Sequence, residues 1–413
     1  MADNVLMREI DIILRTPIME KWIRGTCVTV LLLDLVLAFA SSAQNSETLQ
    51  YHSVKGLSEA TGDLGSQYVS SSPVKPKEGK LPEFKSNHPL FFAWKTPMVP
   101  AGEIWIALDK TGSSGGYDRM YLDANANGDL TDDPVYAPSE RDGDTARFGP
   151  VKLSFEGPDG AIPYELNVEQ NVWSAVAAYF CQVRSLCWRE GPVKVDGVWK
   201  RCRILDQNGN GAFNDKSANY SQSDRIQIGE QTGSEGGAVG NFVEVDNKLY
   251  KIEIARDGSH VSLAEAGDVS YGTARLAGNV TTIIVSSENG SFLRKPENGV
   301  IRLPAGAYHV DSWTIARKED SGSQWEMKGV VPQDSGGFTL PAGGEVSLPF
   351  GEPIYSRVKV TKQASVYVFE QTLEGRQGER IVQTVNGQKP APPKLRIRSQ
   401  DGNLDTVLTS AYG

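Results

Sequence analysis

Short apolar runs, each closed off by glycine or proline, recur along almost the whole of this 413-residue chain. Val151-Lys-Leu-Ser-Phe155 alternates apolar and polar, as a strand with one buried face must. Gly157-Pro-Asp-Gly160 is a turn, and Tyr164–Val168 returns as its partner. Glu103–Leu108, Asp224–Gly229, Leu249–Ile254, His260–Leu263 and Thr281–Val285 read as further strands. Val193–Leu205 folds back at Asp196-Gly197, so that Val195 faces Val198. Ala175–Ala178 lies in Asn171–Cys187, a run without 3.6-residue periodicity, and is assigned to strand. Ser365–Phe369, Arg357–Val360, Arg380–Val385 and Lys394–Ile397 supply four late strands, the last set apart by Pro390–Pro393. No stretch beyond residue 43 forms a long amphipathic helix. The expected fold is all-β, with two or more sandwich- or barrel-like modules.

Two of the connections share one pattern. Asp123, Asn125 and Asn127 alternate and are followed by Gly128; Asp206, Asn208 and Asn210 repeat the spacing before Gly211. Each follows an apolar strand end, and each has an aspartate nine residues after the first, Asp132 and Asp215. Oxygen donors at positions 1, 3 and 5, a glycine at 6 for the sharp turn and a carbonyl at 7 are what a Ca2+ ion needs from a short loop. The loops resemble those of EF-hand-like and dockerin-type proteins over about a dozen residues each. That resemblance implies Ca2+ as the cofactor, held by Asp123, Asn125, Asn127 and Asp129 in the first loop. In the second it implies Asp206, Asn208, Asn210 and the carbonyl of Ala212.

The match is incomplete. Position 12, normally a bidentate acid, is Pro134 or Ser217, so Asp132 or Asp133 and Asp215 are left to close the loops. The flanking helices are missing too. With asparagine at positions 3 and 5, the expected affinity falls in the extracellular range, a Kd of about 10⁻⁴ to 10⁻³ M.

The N-terminus reads as a secretory signal over residues 1–43. Lys21 and Arg24 precede an apolar run from Cys27 to Ala40, and Ser41-Ser42-Ala43 offers a cleavage site. Residues 44–80 are polar and read as a linker, 81–267 as the β-domain carrying both loops, and 268–413 as a C-terminal sandwich. In the last part, Leu303-Pro-Ala-Gly306 followed by Tyr308 resembles carboxypeptidase-regulatory-like, or prealbumin-like, modules, and Phe338–Gly344 echoes the phrase. Leu303 and Tyr308 are expected to pack inward around the Pro304–Gly306 turn.

The net charge of −9 argues against a nucleic-acid surface, which needs clustered cations. Four scattered histidines in no ligand spacing disfavour zinc. Register places Cys187 opposite Asp206 and not opposite Cys202, so a direct bridge between those two cysteines is not expected. No GxSxG, HExxH or CxxC occurs, and Glu319-Asp320 is an acidic pair of a kind common on surfaces. Of Trp94, Trp105, Trp188, Trp199, Trp313 and Trp325, most are expected in the core. The leading expectation is a secreted or periplasmic calcium-binding β-protein with a non-catalytic binding or structural role. Its partner would be a carbohydrate or another envelope protein, and it would meet a membrane only through the signal segment. The alternative is a calcium-stabilised extracellular hydrolase acting on a polysaccharide or other polymer.

Overall fold

Alternating burial organises the strands. Along Val151–Phe155 every second side chain is buried and the intervening ones are exposed, and Tyr164 pairs with Leu153 across the predicted turn. The computed structural model describes residues 46–54, 64–72, 74–76, 79–112, 116–143, 145–173, 178–229, 237–363, 366–400 and 403–409. The signal-peptide reading of residues 1–43 lies outside them, as do Ala175–Ala177, Gly233–Gly236, Ser365 and parts of the 44–80 segment. Among the described residues there is no helix, and the secondary structure is strand throughout.

Residues 46–413 form one compact unit holding two large apolar cores. Around the first core lie four sheets. One runs Ser66–Ser70, Ala178–Ser185, Gly160–Trp173, Thr145–Gly157, Pro138–Asp142. A second runs Gly237–Ala238, Arg225–Ile228, Val198–Leu205, Cys187–Val195, Gln50–Ser53. A third runs Leu90–Lys95, Glu103–Asp109, Arg119–Leu122, Val135–Tyr136. The fourth joins Ser46–Thr48 to the strands between Phe242 and Glu265. Phe92, Trp94, Phe148, Tyr164 and Phe213 fill the space between.

The polar segment 44–80, read as a linker that could also pack as an irregular strand, contributes three strands. Ser46–Thr48, Gln50–Ser53 and Ser66–Ser70 each end a sheet. An edge strand has one partner and keeps a wet side, so Leu49 and Val69 suffice to anchor these.

The second core is built by residues 249–381, centred on Trp313, Tyr308, Phe292 and Phe350. The chain crosses between two sheets at Leu303–Gly306. Val300–Pro304 pairs with Tyr271–Arg275, whereas Gly306–Lys318 pairs with Thr282–Ser287, Gln324–Val330 and Gly337–Leu340. Leu303 and Tyr308 are buried, and the Tyr308 hydroxyl donates back over the corner to the Pro304 carbonyl at 2.8 Å. The echoing segment lies alongside, with Tyr308 opposite Phe338 and their rings stacked at 5.5 Å.

The expectation for tryptophan needs correction. Trp94 and Trp313 are fully buried, but Trp105, Trp188 and Trp325 are half-buried and Trp199 is exposed at a hairpin tip. Half-burial lets a large amphipathic ring cover a sheet edge while its nitrogen stays near water or a polar partner, as Trp188 does with Glu190.

Candidate metal centres

Both loops connect antiparallel neighbours within a sheet. The first joins Arg119–Leu122 to Val135–Tyr136, the second Val198–Leu205 to Arg225–Ile228. Each outgoing strand ends in Leu-Asp, delivering Asp123 and Asp206 to the mouth of its loop, where both are buried.

Inside, the hydrogen bonds repeat residue for residue. Asp123 accepts the Asn127 and Gly128 amides at 3.0 and 2.9 Å; Asp206 accepts those of Asn210 and Gly211 at 3.2 and 2.7 Å. The Asn125 and Asn208 side-chain oxygens each accept the amide two residues on, at 3.0 and 3.2 Å. The Asn127 and Asn210 oxygens accept from Asp129 and Ala212 at 2.7 and 2.8 Å. Gly128 and Gly211 both turn through positive φ, 81° and 91°, a conformation that costs glycine nothing. Asn127 donates to Asp132 at 2.8 Å and Asn210 to Asp215 at 2.7 Å, so the tenth residue closes both loops. An amide oxygen that already accepts one N–H retains a second lone pair for a cation.

The returning strand adds a further acid to each loop. Asp133 accepts the Ala124 amide and Asp224 the Gln207 amide; both donors are the second residue of their loop. Sequence reading placed Asp133 in the first site and missed Asp224 in the second, because it lies far beyond the loop pattern. A second shared signal also went unused: the eighth residue is apolar and buried in both loops, Leu130 and Phe213.

The loops then diverge. In the second, Asp224 spends its other oxygen on the Asp215 amide at 2.8 Å, and Asp206 also accepts the Tyr164 hydroxyl at 2.7 Å. Burial pushes the Asp224 carboxyl far up, with the charges of Asp206 and Asp215 adding to it; burial also raises Asp206. In the first loop Asp133 Oδ2 is buried and has no hydrogen-bond partner. Burial raises the Asp133 carboxyl to about 6 against the Ala124 amide, and the charges of Asp123, Asp132 and Asp129 raise it further. Asp129 adds its charge to this cluster, but its carboxylate is engaged elsewhere. Its side chain pairs with Lys80 at 2.6 Å and accepts from Thr131, and Lys80 holds it down at about 2. Any contribution of Asp129 at position 7 therefore falls to its carbonyl, as at Ala212.

Among the described residues, no group of three or more His, Cys, Asp or Glu side chains is arranged to hold a metal ion. In this conformation the Asn127, Asn208 and Asn210 amide nitrogens occupy the closing carboxylates. The first loop nevertheless fits a hard cation: an unsatisfied buried carboxylate oxygen carries the added charge of three nearby acids, Asp123, Asp132 and Asp129. In the second loop the carboxylate oxygens of Asp206 and Asp224 already have main-chain or hydroxyl donors.

Cys181, Cys187 and Cys202 are free, buried thiols; Gly191 stands opposite Cys202, and Cys187 pairs with Ser53. Ser286 donates to Asp311, whose other oxygen lies 3.3 Å from His309 Nδ1, while His309 Nε2 faces the Pro332 carbonyl at 3.1 Å. Serine and histidine are both partners of the acid there, which is not the order in which an imidazole takes a serine proton. Glu319-Asp320 sits on an exposed turn.

Fold and loops together define an all-β, multi-sheet protein with two Asp/Asn-rich loops of one design. No family model, curated protein or solved structure matches the chain.

Proposed function

We propose that the two loops bind Ca2+, and that the chain is a secreted or periplasmic β-protein in which calcium fastens strand connections in support of a non-catalytic binding or structural role. The observation that carries this reading is the buried, unpartnered Oδ2 of Asp133, set among Asp123, Asp132 and Asp129. A carboxylate oxygen withdrawn from water without a donor is costly, and a divalent ion is the partner that would satisfy it and its like-charged neighbours together. Asp123, Asp132 and Asp133 would hold the ion in the first loop with the oxygens of Asn125 and Asn127. In the second, Asp206, Asn208, Asn210 and Asp215 would do so, with Asp224 behind them. When bound, the ion supplies charge neutralisation and a cross-link between outgoing and returning strands. Export rests on the apolar Cys27–Ala40 run and the small residues after it.

The test is thermal unfolding of the chain in EDTA and in millimolar Ca2+, beside Asp123→Ala and Asp206→Ala. With a Kd of about 10⁻⁴ to 10⁻³ M, calcium adds about 1–2 kcal/mol. Each substitution should remove part of that gain. An unchanged midpoint at several millimolar calcium would reduce both loops to metal-free turns.

A further inference from the structure

A cleft of about 750 Å³ opens beside the second loop, at the edge strand Ser66–Ser70. Its size falls within the roughly 300–1,000 Å³ of small-molecule sites, but its lining does not resemble theirs, being dominated by amides and hydroxyls. An apolar ligand would strip water from these groups and return nothing.

The charge of the cleft runs against that of the chain. In a protein of net −9, the cleft is lined by two cations, Lys95 and Arg184, and by no carboxylate among the described residues. Lys95 is paired with Glu103. Arg184 is half-buried and has no hydrogen-bond or ion-pair partner among the described residues. The nearby Glu169 acts on it only through space, its own carboxylate being taken by Arg147 at 2.6 Å and by Asn171. A half-buried guanidinium fork left open is suited to a carboxylate.

Beside it stands Tyr68, 68% exposed and flanked by Phe180 with ring centroids 6.0 Å apart. Amide groups complete the lining. Gln182 donates to Ser66, which leaves its oxygen as an acceptor, and Gln207 accepts from Arg225, which leaves its NH2 as a donor. A flat ring face, amides of both polarities and an open guanidinium together match a polyol that carries a carboxylate.

We infer that this cleft binds an acidic saccharide, a uronate-type sugar whose carboxylate sits on Arg184 and whose ring lies against Tyr68. The cleft shares Gln207 and Asn208 with the second metal loop, but Arg184 and Tyr68 lie on strands outside it, and the inference does not depend on the loops binding calcium. An acidic peptide would use the guanidinium but offers no polyol to the amides.

The experiment is a calorimetric titration at about 150 mM salt, in calcium and again in EDTA. The probes are tri-galacturonate, its fully methyl-esterified form, and tetraglutamate. Tri-galacturonate should bind in both buffers, and the ester and the peptide at least about tenfold more weakly. Arg184→Gln should weaken tri-galacturonate at least about tenfold, and Tyr68→Ala about three- to tenfold. Both side chains border solvent, so circular dichroism and the unfolding midpoint should be unchanged in the variants. Absence of binding by tri-galacturonate, equal binding of the ester, tighter binding of tetraglutamate, or an unchanged affinity in Arg184→Gln would each overturn the assignment. The calcium reading is judged by unfolding midpoints, so either can fail without the other.

Discussion

Replacing Asp133 with asparagine should have opposite effects on stability with and without calcium. Without calcium, the carboxyl is raised to about 6 by burial and by neighbouring acids. A carboxyl raised in the folded state favours folding while protonated, below about pH 4, and loses that advantage as pH rises through about 6. At pH 7 the ionised Asp133 therefore costs stability. The full shift would amount to about 3 kcal/mol, but the side chain is only partly buried, and solvent screening reduces this to about 1 kcal/mol. The introduced amide carries no charge, keeps an oxygen for the Ala124 N–H and turns an N–H donor toward Asp123 and Asp132. In EDTA at pH 7, Asp133→Asn should be more stable than the parent by about 1 kcal/mol, with the difference vanishing toward pH 4. In several millimolar calcium the parent gains about 1–2 kcal/mol, and the variant, short of one ligand charge, gains little. The order of stabilities then reverses. The assay is urea unfolding of both proteins in both buffers, with a pH series in EDTA. A variant that is more stable in both buffers, or less stable in both, would refute the reasoning.

Three further outcomes test the fold. Burial pushes the thiols of Cys187 and Cys202 up to about 12 and raises that of Cys181 well above its ordinary value, so at pH 8 a disulfide reagent should leave all three untouched until the chain unfolds; any of them reacting at native rate would contradict their burial. Arg201, joined by Arg203, holds the Glu190 carboxyl down at about 2. That contribution is present above about pH 4 and lost as pH falls toward 2, so Glu190→Gln should cost about 1 kcal/mol at pH 7, discounted for exposure, and nothing near pH 2 in urea titrations. A Cβ at Gly329 would lie 2.3 Å from the buried Trp313 ring, so Gly329→Ala should lose about 2–3 kcal/mol in thermal or urea unfolding.

The strands were legible because their information is local. Alternation in Val151–Phe155 and the Asp196-Gly197 turn specify a face and a register within a few residues, and Val195 does face Val198. The partners of edge strands were not legible. Ser66–Ser70 pairs with Ala178–Ser185 across more than a hundred residues, and its polar composition gives no hint of that destination. Tryptophan exposure was misjudged for the same reason, since burial of a ring on a strand depends on which sheet edge it reaches. In the loops, spacing located Asp123 and Asp206 but could not choose between Asp132 and Asp133. The structure gives them different tasks: Asp132 accepts from the Asn127 side-chain NH2, and Asp133 accepts from the main-chain N–H of Ala124. Asp224 had no local signature, because its place is set by the returning strand and not by the loop.

For the same reason the two loops should not depend on calcium equally. In the second, Asp224 joins the loop's beginning to its end, accepting the Gln207 amide with one oxygen and the Asp215 amide with the other. That loop is closed by hydrogen bonds, and the apolar core takes up Phe213 beneath it. In the first, Asp133 holds only the Ala124 amide, its second oxygen has no partner, and Leu130 sits in a small satellite cluster. The free energy of local opening follows the contacts that opening must break, so the first loop should open more readily when the cation is withheld. Amide hydrogen exchange separates the two. On adding EDTA, Ala124, Asn127 and Gly128 should lose about a tenfold or greater share of their protection, whereas Gln207, Asn210 and Gly211 change little. Equal losses in both loops would mean that the ion, and not Asp224, closes the second. A loss confined to the second would mean that the open oxygen of Asp133 is no ligand at all.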